Sequence, residues 1–194
     1  MTPAAFLSLA LQTIAAPRDV ARLLMSANLT REALLTAFGL VIIASGLVFH
    51  VSNLLSPGPV PVMLADPIRF VILQAVVQGA TIAALTGMGR IMGGTARLSD
   101  IAVLMIWLNA IRVVVLVLLS VLMMVSGLLS MLVIFAMTAL GFWITLNFID
   151  EAHGFENLFK AFGTLVLGLL AMAFALSFLL TLAGVSPEGM LPDV

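Results

Sequence analysis

Five hydrophobic stretches, each long enough to cross a bilayer, fill most of this 194-residue chain. A crossing helix needs about 20 apolar residues, because the hydrocarbon core is roughly 30 Å thick. The pattern places helices over residues 31–54, 68–89, 101–125, 128–148 and 158–182. Backbone groups in lipid must be satisfied internally, so the expected fold is all-α. It is a polytopic membrane protein, a bundle of five transmembrane helices over residues 30–184. A short N-terminal amphipathic segment (1–29) precedes it and an acidic tail (185–194) follows.

Composition supports lipid as the solvent. Hydrophobic residues make up 63% of the chain and charged residues 9%, whereas a soluble domain carries about a quarter charged residues. The net charge of -1 offers no electrostatic case for nucleic-acid binding. With no cysteine, disulfides, thiolate metal sites, cysteine nucleophiles and S-palmitoylation are excluded. No Lys or Arg precedes Phe6, so no signal peptide is expected. Arg outnumbers Lys, whose single representative is Lys160, and Ala, Gly, Leu and Val dominate. That usage hints at a GC-rich bacterial genome.

The segment Thr2 to Ala16 is too short to span and reads as a helix on the membrane surface or against the bundle, with Ser8, Gln12 and Asp19 near one face. Pro17 suits the first position of a second short helix, with Val20, Leu23 and Leu24 apolar and Arg18 and Arg22 polar. A loosely docked tail is the alternative. Thr30 is placed to cap the first span, with Glu32 in its first turn. Ser56-Pro57-Gly58-Pro59-Val60-Pro61 is non-helical and reads as an extended flap. Ser126-Gly127 is a tight turn, and a polar loop over 150–156 precedes the last span.

Five spans put Arg18, Arg22, Arg31, Arg90, Arg97 and Lys160 on one side and Arg69 on the other. Basic residues near helix ends mark the cytoplasmic face. The N-terminus is therefore expected in the cytoplasm. The flap, and the tail with Glu188 and Asp193, are expected outside a bacterial inner membrane.

Arg112 is the one strong charge deep inside a span. Arg112 and Gln78 lie about 18 Å from the cytoplasmic edge, near the bilayer centre, at 1.5 Å per residue. Asn109 lies one turn from Arg112, and Gln74, Gln78 and Thr81 form a stripe on the second span. Thr138 and Thr145 add hydroxyls from the fourth. A buried polar cluster around Arg112, Asn109, Gln78, Gln74 and Thr138 is the expectation. Its preferred role is structural, with amides and carbonyls satisfying the guanidinium and locking the bundle. The alternative is an anion, lipid-headgroup or proton path, since intramembrane charges often mark such routes.

Ala75, Gly79, Ala83 and Gly87 recur every fourth residue and form a packing ridge, read as internal to the bundle, with a dimer seam as alternative. The loop charges Asp150, Glu151 and His153 are expected to pair with Arg90 or Arg97 or to stay solvated, and Glu156 to cap the last span. No ligand spacing supports a metal there, and His50 sits on the far side. Gly87, Gly89, Gly93 and Gly94 lack the strand and the Gly-Lys-Ser/Thr ending of a phosphate loop. No nucleophile–base pair or nucleotide fingerprint is present, so neither an enzyme nor a cofactor is expected.

Several segments together carry a resemblance. They are Ala16-Pro17-Arg18-Asp19-Val20; Arg90-Ile91-Met92-Gly93-Gly94-Thr95-Ala96-Arg97 leading through Leu98-Ser99-Asp100 to Trp107; Glu151-Ala152-His153-Gly154-Phe155; and Lys160-Ala161-Phe162. This layout resembles bacterial members of the Yip family, the Ypt-interacting proteins. The resemblance implies five spans and a cytoplasmic N-terminus. Eukaryotic relatives contact small GTPases, but their Asp-Leu-Tyr-Gly-Pro motif is absent and the chain has no Tyr. GTPase binding is therefore not carried over. The function expected is scaffolding or assembly through helix and lipid contacts, with membrane lipid, a protein partner or a second copy as partners. The runner-up is transport of a small anion or lipid by the Arg112 cluster.

Overall fold

The computed structural model of the protein describes residues 2–55 and 61–182. The linker residues 56–60, the expected helix stop at Gly184 and the tail with Glu188 and Asp193 lie outside the described residues. Everything described is helix or short connection. Two short helices, α1 (Pro3–Ala15) and α2 (Pro17–Ser26), lead into α3 (Arg31–Leu55). A single turn, α4 (Val62–Ala65), precedes α5 (Pro67–Ile91). Then come α6 (Leu98–Val125), α7 (Gly127–His153) and α8 (Leu158–Leu182). Five of these, α3, α5, α6, α7 and α8, are long and apolar enough to cross a membrane. The chain is an integral membrane protein.

The helix ends follow local chemistry. Pro17 opens α2, where its missing N–H costs nothing. The Thr30 hydroxyl accepts the Ala33 N–H at 3.2 Å and caps α3. Asp66 caps α5, accepting the Ile68 and Arg69 N–H groups at 2.8 and 3.0 Å. These bonds, that from Arg69 foremost, hold the Asp66 carboxyl below its ordinary pKa. Ser126 ends α6 and caps α7, whose Leu129 N–H it accepts at 3.4 Å. Gly154, at φ 64°, ends α7 in the left-handed conformation open to glycine.

Two boundaries differ from the sequence expectation. α7 runs to His153, so Asp150, Glu151 and His153 lie on its last turns rather than in a loop. α8 is capped not by Glu156 but by Asn157, whose Oδ1 accepts the Phe159 N–H at 2.9 Å. Glu156 is exposed with φ 52°. An Asn one residue closer to the helix reaches the orphan N–H that the longer Glu would have had to fold back to meet.

The spans form a ring: α3 packs on α6, α6 on α7, α7 on α8, α8 on α5 and α5 on α3. α3 and α6 run parallel, with the Ser52 and Ser120 hydroxyls 2.6 Å apart near their far ends. Arg18, Arg22, Arg31, Arg90, Arg97 and Lys160 gather at one end of the ring, hereafter the basic end. α1 and α2 wrap α6 and α7 there. Burial is lopsided. In α5 it covers Ile82 to Gly89, in α6 Ile101 to Trp107 and in α7 Ile144 to His153 apart from Ser130. The half away from the basic end buries fewer residues, among them Ser45, Gly46 and Ser130.

Candidate functional site

The densest cluster of polar chemistry lies at the basic end. Asp150, 3% exposed, accepts Arg18 Nη2 at 2.6 Å and the Asn157 N–H at 2.8 Å. Glu151 accepts Arg22 through Nε at 2.7 Å and Nη2 at 3.0 Å, the forked geometry of a guanidinium on a carboxylate. Arg22 also reaches Asp19 at 3.4 Å. The partners of Asp150 and Glu151 are thus arginines of α2, not Arg90 or Arg97. Arg97 is taken by Asp100 beside it, at 3.2 Å, and Arg90 Nε donates to the Ala96 carbonyl at 3.0 Å. The long-range choice is set by α2 lying along α7.

A second tie comes from α1. Trp107 Nε1–H donates to the Thr13 hydroxyl at 3.0 Å, and Thr13 donates onward to the Leu9 carbonyl at 2.8 Å. Phe6 packs on the Trp107 ring with centroids 5.1 Å apart. α1 and α2 are therefore docked, and the alternative of a loose tail is not what is seen. On α2, Val20 and Ala21 face the core, while Leu23 is exposed. Helix spacing placed Leu23 on the apolar face, but α2 buries its Ala21 side instead.

His153 is 1% exposed. Its imidazole lies in a slot whose walls are the backbones of Gly89 and Gly94, since a Cβ at either position would overlap the ring. Phe155 stacks on it, with centroids 5.1 Å apart and planes 11° from parallel. The Thr95 N–H donates to the His153 carbonyl at 3.2 Å. Neither ring nitrogen has a hydrogen-bond partner. Among the described residues no group of three or more His, Asp and Glu side chains is arranged to hold a metal ion.

The intramembrane residues are not joined. No side-chain hydrogen bond links Arg112, Asn109, Gln78 or Gln74 to any described residue, and Thr138 donates to its own helix, at the Ile134 carbonyl. Gln74 Oε1 is buried without a donor. Arg112 is exposed. Thr145 likewise bonds within its helix, to Gly141. His50 sits between aromatic edges, 5.5 Å from the Phe70 ring.

The middle of the ridge Ala75, Gly79, Ala83 and Gly87 faces outward rather than into the bundle, while its ends, Ala75 and Gly87, are half-buried. Gly79 and Ala83 are exposed, and a Cβ on Gly79 or Gly87 would meet nothing within 4 Å. The close approaches that small residues permit occur elsewhere. Gly168 meets Leu85, Gly163 meets Met92, and Gly46 meets Val71, with 2.8–2.9 Å from an added Cβ to the neighbour. Periodicity located a small-residue face on α5 but not its partner.

Near the α1–α2 junction a cavity of about 430 Å³ is lined by Pro17, Arg18, Arg22, Trp143, Asn147 and Leu158. Asp19, Asp150 and Glu151 balance its two arginines. Sequence reasoning passed over Thr13, Asn157 and the slot-forming role of Gly89 and Gly94. The Gly93–Gly94 pair was the only local signal for the slot. The Thr13–Trp107 bond spans 94 residues and leaves no trace in spacing.

No family model matches the chain, and no curated protein or solved structure matches it significantly.

Proposed function

We propose that this integral membrane protein is a non-enzymatic scaffold of the Yip type that assembles through helix and lipid contacts. The observation that carries the reading is the outward ridge on α5. Small residues on a lipid-facing stripe let a second helix approach closely, which is how helices associate where lipid removes the hydrophobic drive. Gly79 and Gly87 have open space where such a helix would sit. The polar groups at the basic end support it from the other side. Asp150, Glu151, Arg18 and Arg22 are spent on one another, as a structural frame requires.

The absence of cysteine makes the test clean. A single Ala83→Cys variant in bilayers should form a disulfide-linked dimer on mild oxidation, and adding Gly79→Leu should abolish it. Energy transfer between labelled copies at the level of random collision would refute self-assembly through this face.

The proposed location is a bacterial inner membrane, with the basic end in the cytoplasm. The clustering of basic residues at that end supports it. Single cysteines at Glu156 and Asp66 should react with an impermeant maleimide from opposite sides, Asp66 from outside. Labelling of both from one side would overturn the topology.

A further inference from the structure

The cavity beside the α1–α2 junction has a definite level in the bilayer. α7 holds 27 residues, about 40 Å of helix, against a hydrocarbon core of roughly 30 Å. Its surplus lies at the basic end. The Ser126–Gly127 turn leaves no loop at the other end, and Met124, Val125 and Leu128 around it are apolar and 71%, 78% and 72% exposed, so lipid covers them. Counted from Gly127, about 20 residues fill the core, which puts its boundary near Asn147. Trp143 and Asn147 lie one turn apart on α7, and both line the cavity. Asp150 and Glu151, with the α2 arginines bound to them, stand above that boundary in the headgroup layer. The cavity therefore spans the join between acyl chain and headgroup.

The bonds left unmade around it are specific. Arg18 and Arg22 are engaged with Asp150 and Glu151. Asp19 has one contact, its Oδ1 3.4 Å from Arg22, and its Oδ2 accepts nothing. Asn147 is 4% exposed, and its Nδ2 donates to the Trp143 carbonyl at 2.9 Å, which leaves Oδ1 without a donor. The α2 N-terminus has no side-chain cap, and the N–H groups of Arg18 and Asp19 there have no acceptor. Two arginines meet three carboxylates at this place. Glu156 and Lys160, two residues either side of Leu158, cancel each other, so the local charge is negative.

We propose that this cavity holds the headgroup of phosphatidylethanolamine, with its ammonium on Asp19 and Asn147 and its phosphate at the α2 N-terminus. An ammonium group carries three N–H donors and no acceptor, which matches two oxygens lacking donors in a negative site. Backbone N–H groups at a helix start suit phosphate oxygens. Trp143, half exposed, is the amphipathic ring favoured at this depth, and with Leu158 it gives the start of the acyl chains an apolar wall. Phosphatidylcholine carries the same charges but has no N–H to give the two oxygens. Phosphatidylglycerol brings a net negative charge to a site already negative. A lysine of another chain would satisfy the oxygens alone and leave the α2 N–H groups unmet. The site does not rest on the scaffold reading, since α5 takes no part in the cavity.

The test takes wild-type protein, Asp19→Asn and Asp19→Glu through vesicles holding equal parts of phosphatidylethanolamine, phosphatidylcholine and phosphatidylglycerol, then into mild detergent. Phospholipid retained per protein is read by native mass spectrometry. Wild type should retain phosphatidylethanolamine above the other two. Asp19→Asn should retain about tenfold less of it, the loss of one charge-assisted hydrogen bond, and Asp19→Glu should keep it. Equal retention of the three lipids by wild type overturns the proposal, as does a wild-type preference for phosphatidylglycerol. So does unchanged selectivity in Asp19→Asn. Displacement of the lipid by soluble phosphoethanolamine also overturns it, because the site then serves a free amine. A protein chain retained in place of lipid does the same. If Asp19→Asn undocks α2, wild type is photolysed with phosphatidylethanolamine carrying a diazirine beside the glycerol. Adducts on residues 15–19 and 143–147 support the site, and adducts spread evenly over the spans refute it.

Discussion

A methyl group at Gly89 should destabilise this protein, and removing the His153 ring should erase the effect. The three atoms nearest an added Cβ at Gly89 are Cε1, Nε2 and Nδ1 of the His153 ring, all of which it overlaps. At Gly94 the overlap includes the His153 Cβ and Cγ, each 2.6 Å away, about 1 Å inside ordinary carbon contact. The ring has little room to retreat, being 1% exposed and stacked on Phe155. Overpacking of this kind costs about 1–3 kcal/mol, and a confined ring puts Gly89→Ala near 3. In a His153→Ala background the clash disappears, and Ala should then match or exceed Gly by up to about 1 kcal/mol because it favours the helix. Gly94→Ala should stay destabilising in that background, since the His153→Ala side chain keeps its Cβ at 2.6 Å. Unfolding in mixed micelles, followed by the fluorescence of Trp107 and Trp143, gives the four free energies of each cycle. Equal cost of Gly89→Ala with and without the imidazole would refute the slot.

Three further outcomes follow from the basic end and from Asp66. Trp107→Phe keeps the ring but loses the bond to Thr13, and should cost about 1 kcal/mol, read in the same unfolding assay. Asp150→Ala strips a buried acceptor from Arg18 and from the Asn157 N–H. Because Arg18 is 43% exposed and can turn to water, the loss should be about 2 kcal/mol rather than the larger cost of a fully buried pair. The Asp66 carboxyl is held below its ordinary value of 3.8 by the Arg69 and Ile68 N–H groups. Its contribution to capping is therefore complete above that pH and fades as pH falls through the lower folded value. Hydrogen-exchange protection at Ile68 and Arg69 should drop in strong acid and become insensitive to pH in Asp66→Asn.

The spans were legible in the sequence because lipid leaves few solutions for an apolar run of such length. Caps that act within a few residues, at Pro17 and Thr30, were legible for the same local reason. What failed were choices among partners. Asp150 and Glu151 had several arginines within plausible reach. Only the path of α2 along α7 selects Arg18 and Arg22 over Arg90 and Arg97. The α5 ridge had the right spacing for close packing, but spacing does not say which side of a helix meets another. Arg112 was identified from its depth, and Gln78 matches that depth. A shared level is no contact, however, and no hydrogen bond joins the two side chains.

The uneven packing has one physical source. Helices in lipid gain nothing from hydrophobic exclusion, so they hold together only where backbones come close or polar groups bond across. Here those features are unevenly placed. Gly89, Gly94, Gly163 and Gly168 all receive a neighbouring side chain towards the basic end. The Trp107–Thr13 bond and both α2–α7 ion pairs join the same region. Further out the ties include Ser52–Ser120, Gly46 against Val71, the Phe49 ring stacked on Phe70 with centroids 4.4 Å apart, and the Thr81 hydroxyl 2.9 Å from Met172 Sδ. The bundle is thus tied most closely at its basic end.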